Sequence, residues 1–187
     1  MLTLLLAASL VSKTGIPYVQ DDKAGPPDLV QAIKSRRPNG QLLNLDRMLL
    51  HSPNYAKGWN GMFAAIRNQL SLPGNLREIA IMAIGVLNKA DYEWIQHEPE
   101  FLKAGGTKEQ LAGLKRLDPK PFNDAEKAAL QLTIEMTRNV QPKQATIDRV
   151  RKLIGDDQYV ELAGTIAGYN MVSRFLLATG VEAEATK

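Results

Sequence analysis

The stretch NLREIAIMAIGVLNKA, residues 75–90, decides the fold. Ile79, Ala80, Ile81, Met82, Ala83, Ile84, Val86 and Leu87 leave no polar face, so periodicity alone does not separate a buried helix from a buried strand. The run is long for a strand, rich in Ala and Met, and polar only at its ends. Those features predict a central helix with neighbours on every side.

The flanks read as helices separated by breakers. Leu72-Pro73-Gly74 ends the preceding segment. There, Trp59, Met62, Phe63, Ile66 and Leu70 recur at helical spacing as a core stripe. That helix starts at Ser52-Pro53, a cap followed by proline at the first helical position. Asp28 to Arg37 and Leu42 to His51 read as two shorter helices, parted by Pro38-Asn39-Gly40. Downstream, Asp91 to Ala104 is closed by Gly105-Gly106, and Thr107 with Gln110 forms a capping box. Asn123 with Glu126 caps a helix through Asn139, Ala145 to Ile154 ends at Gly155, and a last helix runs from about Asp156 to Ala178. No stretch alternates like an amphipathic strand. The expectation is an all-α, single-domain bundle of about eight helices. It spans residues 16–181, after an N-terminal extension (1–15) and before a short tail (182–187).

The extension is apolar from Leu2 to Val11, too short for a bilayer span of about 20 residues. It reads as an arm on a neighbour or, alternatively, as an export signal, although no Lys or Arg precedes it. With no other mark of export, a cytoplasmic location is expected.

Composition removes several chemistries. The chain has 187 residues and no cysteine, which excludes disulfides, thiolate metal sites and thiol peroxidases. It has two histidines, His51 and His97, too few for a His-rich metal site, so no metal is expected. The net charge of +3 is dispersed, with no basic run longer than Arg36-Arg37, which argues against nucleic acid. No glycine-rich nucleotide cradle is present.

Three places remain for chemistry. Glu78 sits near the start of the all-apolar helix, where the helix dipole favours an anion. It is a candidate for chemistry or an ordinary helix-start carboxylate, paired with Arg77 or solvated. Glu93 and His97 stand four apart, so their side chains can meet. They form an acid/base pair or part of a solvated face with Gln96 and Glu100, opposite Trp94, Ile95, Phe101 and Leu102. Arg174, alone among small and apolar residues, needs a counter-charge and is expected to be buried, in an ion pair or on a ligand.

Leu76-Arg77-Glu78-Ile79-Ala80-Ile81, then Tyr92-Glu93-Trp94 and His97, then Ala104-Gly105 resemble the carboxymuconolactone decarboxylase and alkylhydroperoxidase D-like superfamily. Leu42 to Arg47, Ser52-Pro53 and Tyr169-Asn170 through Arg174-Phe175 are similar to the flanks of its cysteine-free members. The resemblance covers roughly residues 16–181. It implies an all-helical homo-oligomer, from trimer to hexamer or larger ring, with pockets in and between subunits. It places the family glutamate on Glu78, the histidine on His97, and the two cysteines of the peroxidase branch on Ala90 and Glu93. What it then implies is cofactor-free acid/base work on a small lactone or carboxylic acid of the aromatic-catabolism kind. His97, Glu78 and Glu93 would be catalytic, with Arg174, Arg77, Tyr92, Trp94 and Asn170 binding the substrate. A non-catalytic binding protein on the same scaffold is the alternative. Antioxidant activity is a third family-level reading, against which the missing thiols argue.

Hairpin arithmetic does not supply this site. Glu78 lies 12 residues from Ala90 and His97 lies 7, out of level by more than a turn at about 1.5 Å per residue. Their proximity is implied by the resemblance alone.

Overall fold

Leu76, Ile79, Ala80, Ile81, Met82, Ala83 and Ile84 are all fully or almost fully buried, which makes the 75–90 stretch the central helix its composition predicts. The computed structural model describes residues 11–184. Among these residues the regular structure is helical: α1 (Pro27–Lys34), α2 (Asn44–Leu49), α3 (Pro53–Asn68), α4 (Gly74–Asn88), α5 (Asp91–Lys103), α6 (Lys108–Arg116), α7 (Asp124–Asn139) and α8 (Gln144–Thr179). The only extended pairing among them is an isolated bridge between Val11 and Pro17. No helix among them is long and apolar enough to cross a membrane.

The two capping boxes form as read. The Thr107 hydroxyl accepts from the Gln110 amide and the Asn123 side chain from the Glu126 amide, each answered by the reciprocal bond. Gly155 leaves helical geometry at φ 82, so the expected stop is a break inside α8 rather than its end. The stripe on α3 is narrower than its spacing suggests. Trp59, Phe63 and Ile66 are buried, but Met62 is 40% exposed.

The chain divides into two compact units, residues 66–175 and the segments on either side of them. In the flanking unit, Asp46 is buried and accepts from Arg37 Nε at 2.8 Å. The His51 ring meets the Pro17 carbonyl at 2.7 Å, a structural use of that histidine. Of the N-terminal extension, residues 1–10 lie outside the described residues. The part that is described is tied to the chain's own C-terminal segment, through Lys13 N–H to the Gly180 carbonyl and Thr14 Oγ1 to the Thr179 carbonyl.

In the 66–175 unit, α4 is packed by α5, α6 and α7. Ile79, Met82 and Ala83 of α4 meet Phe101, Leu111, Leu114, Phe122 and Leu130 in one core cluster. Burying each large side chain contributes about 1.5–3 kcal/mol. Gly106 is required at the end of α5, because a Cβ there would stand 2.2 Å from the Phe101 ring. At the other end, Lys89 takes a left-handed conformation that closes α4, and α5 begins two residues later. Gly85 then faces the Cβ of Glu93 so closely that an added Cβ would sit only 3.2 Å from it. That close approach fixes α5 against α4 and sets the site.

Candidate active site

Glu78 lies in the second turn of α4 and its side chain is fully buried. Glu93 and His97, one turn apart on α5, are also buried, with side chains 3% and 5% exposed. His97 Nδ1 meets Glu78 Oε2 at 2.6 Å. On the far side of the ring, His97 Nε2 is 3.5 Å from Glu93 Oε2. The three groups thus form a line: carboxyl, imidazole, carboxyl. A solvated polar face on α5 is ruled out. Tyr92, Glu93, His97 and Phe101 face inward, while Ile95 is 51% and Leu102 40% exposed. Glu93 and His97 turn inward with Phe101 because they find partners inside, and of the apolar set Ile95 and Leu102 are turned out.

The two carboxyls are driven in opposite directions. Burial alone would raise Glu78, but the hydrogen bond and charge of His97, with Arg67 and Arg77, outweigh it and hold Glu78 below the ordinary value. Burial of Glu93 is only partly offset by His97 and Arg67 and is reinforced by the Glu78 charge, so its carboxyl is pushed up to about 6. A charged Glu78 can only accept at Oε2, which favours the proton of His97 on Nδ1, whereas the Glu93 carboxyl is raised to about 6.

Two residues outside the expected site set, Arg67 and Tyr169, complete the surroundings. Arg67, from the end of α3, brings NH1 to 3.4 Å from His97 Nε2 and NH2 to 3.5 Å from Glu100 Oε2. Tyr169 of α8 is buried, hydrogen-bonds Arg67, and sets its ring edge-on to His97 with centroids 5.3 Å apart. Desolvation raises the Tyr169 hydroxyl well above its usual value. The signals were present but faint. Arg67 follows Phe63 by four residues along a buried stripe, and Tyr169 sits three residues from buried Ile166 and three from buried Val172.

Residues 53–135 match the carboxymuconolactone decarboxylase family. The matched stretch contains Arg67, Arg77, Glu78, Glu93 and His97. None of the curated proteins matches the chain at a significant level. Among solved structures, the chain is similar to an alkylhydroperoxidase AhpD core, an uncharacterized peroxidase-related protein from Ralstonia eutropha JMP134. The TM-score is 0.78 at 17% identity, over 89% of this chain and 90% of that one. An uncharacterized peroxidase-related protein from Silicibacter sp. TM1040 gives 0.76 at 17%, over 90% and 93%. The debrominase Bmp8, in complex with 2,3,4-tribromopyrrole, gives 0.77 at 19%, over 95% and 92%. At these identities the likeness carries the fold.

The expected substrate-binding residues are dispersed. Arg77 is committed to structure: Nε donates to Glu78 Oε1 at 3.0 Å and NH1 to the Arg67 carbonyl at 3.1 Å. Arg174 is exposed, against the expectation of burial in an ion pair. Its NH1 donates to the carbonyl and Oδ1 of Asn170 on its own helix, so it meets its needs locally. Asn170 is a structural hub, accepting from Asn88 Nδ2 at 3.0 Å and donating to Thr137 Oγ1 at 3.0 Å. Trp94 lines a separate cleft of about 400 Å³ with Gly85, Val86, Lys89, Asp91 and Lys115. Its Nε1 donates to Glu98, and Lys115 Nζ lies 5.0 Å over its ring. Tyr92 is buried in the first turn of α5. No group of three or more His, Cys, Asp or Glu among the described residues is arranged to hold a metal ion.

Proposed function

We propose that the chain is an enzyme performing cofactor-free acid/base chemistry, a decarboxylation or isomerisation, on a small carboxylic acid or lactone. The observation that carries this is the buried line Glu78–His97–Glu93, at 2.6 Å and 3.5 Å, with its two carboxyls displaced in opposite directions. Titratable groups whose environments drive their proton affinities apart are the pattern of an acid/base assignment. In this reading Glu78 stays charged and orients the imidazole. His97 presents Nε2 to the substrate and carries the proton. Glu93 stands where the resemblance puts a peroxidase thiol, and supplies or takes up that proton near neutrality. With no cysteine in the chain, reduction of peroxide through a dithiol has no nucleophile to begin from.

Thermal shift against small acids and lactones of aromatic catabolism tests the binding half of this proposal, since a ligand of the native state raises apparent stability. Turnover of the best binder by the His97→Gln variant tests the other half. A positioned acid/base group is worth about 10²–10⁴-fold, and that loss is expected with the fold intact.

A second reading, a non-catalytic binding protein, needs no proton transfer at His97, whose shielded side chain beside Glu78 favours the first reading. Binding without turnover, unchanged in His97→Gln, would select the second. In both readings the protein acts as a homo-oligomer on a small molecule.

A further inference from the structure

The members of the relay are closed off, but its edge is not. Glu78, Glu93 and His97 have side chains 5% exposed or less, whereas Arg67 is 26% and Glu100 35% exposed. Arg67 and Glu100 are therefore the more exposed groups at the edge of the relay. Arg77 bonds the Arg67 carbonyl at 3.1 Å, a backbone contact, and the Arg67 guanidinium itself meets Tyr169, His97 and Glu100. The guanidinium carries five donors in a fork that suits a carboxylate. Its contact to Glu100 is 3.5 Å, well outside the 2.7–2.9 Å of a strong charge-assisted bond. Glu100 is thus a loosely held counter-ion.

We propose that Arg67 is an anion-binding residue whose resting counter-ion is Glu100, and that a small monocarboxylate displaces Glu100 to sit against Arg67 beside His97 Nε2. Arg67 NH1 already lies 3.4 Å from that nitrogen, so an anion seated on the fork is delivered to the ring edge opposite Glu78. This takes the carboxylate-binding role away from Arg77, which is committed to Glu78, and from Arg174, which is bonded to Asn170. The inference builds on the acid/base reading of the same site by naming what selects its ligand.

The test is binding, measured by calorimetry and thermal shift at fixed ionic strength. Acetate and benzoate are compared with their neutral counterparts, acetamide and benzamide. Carboxylates are expected to bind and stabilise the wild type, with the amides at least tenfold weaker. Arg67→Gln should weaken carboxylate binding about 10- to 100-fold, the worth of a charged hydrogen bond. Arg67→Lys, which keeps the charge but loses the fork, should lie between. Glu100→Gln removes the competitor and should tighten binding several-fold, an outcome a merely structural ion pair would not produce. The proposal is overturned if no carboxylate is preferred over its amide, if both Arg67 variants bind like wild type, or if Glu100→Gln weakens binding. Carboxylate binding through Arg67 in a protein that turns over no acid or lactone would leave this proposal standing and remove the acid/base reading. Turnover lost in His97→Gln but untouched in Arg67→Gln would do the reverse.

Discussion

His97 Nδ1 and Glu78 Oε2 are 2.6 Å apart although 19 positions separate the residues in sequence. A fully buried carboxylate tolerates its charge only with partners, and Glu78 has two, His97 and Arg77. Removing one member of a buried ion pair typically costs about 3–5 kcal/mol. Glu78→Gln is therefore expected to lower unfolding free energy by about that amount in a urea titration. Arg174→Ala, at an exposed site, should change it by no more than about 0.5 kcal/mol. The opposite ranking would contradict the assignment of structural weight to α4.

The two relay carboxyls give opposite pH signatures. Glu93 is raised in the native state, so folding takes up a proton there. Stability from this group is complete below the unfolded value of about 4.5 and falls as pH rises through about 6, by about 2 kcal/mol in all. Glu78 is lowered, so its contribution is present above its unfolded value and is lost as pH falls through the native one. Glu93→Gln should abolish the decline between pH 4.5 and 6 and be more stable than wild type at pH 8. Parallel stability–pH curves for the two proteins would refute the raised carboxyl.

Ile95 and Leu102 stand seven residues apart on the outer side of α5, both large, apolar and substantially exposed. Together with the family resemblance this leads us to expect a homo-oligomer at micromolar concentration by light scattering. The double substitution of both residues by Lys should shift the population to smaller species while leaving the helical circular dichroism unchanged. A monomeric wild type would remove the expectation.

How far the sequence could be read depended on the kind of interaction. Helices set by local chemistry were legible: the Thr107 and Asn123 capping boxes and the proline opening α3 need only neighbours in the chain. The central helix was legible because nothing on it needs water. The polar site was legible only through resemblance. The offset of Glu78 and His97 in a plain hairpin is overcome by the close approach of α5 to α4 at Gly85 and by the reach of both side chains, and neither is encoded in spacing. Burial of Glu93 and His97 ran against composition, since α5 exposes Ile95 and Leu102 instead. A lone cation in an apolar stretch predicts enclosure, but Arg174 is exposed because α8 turns that position outward and Asn170 meets its donors. Arg67 went unseen because an arginine at the end of an amphipathic helix has an ordinary use as a solvated last-turn cation.

The relay requires a charged Glu78 that holds the proton on one particular nitrogen of His97. Long-range ¹H–¹⁵N correlation of the imidazoles reads this directly, and with two histidines the assignment needs only a His51 variant. At neutral pH, His97 Nδ1 should carry a proton with a low-field resonance, and that resonance should be lost in Glu78→Gln. A His97 whose only ring proton sits on Nε2, unaffected by Glu78→Gln, would contradict the relay.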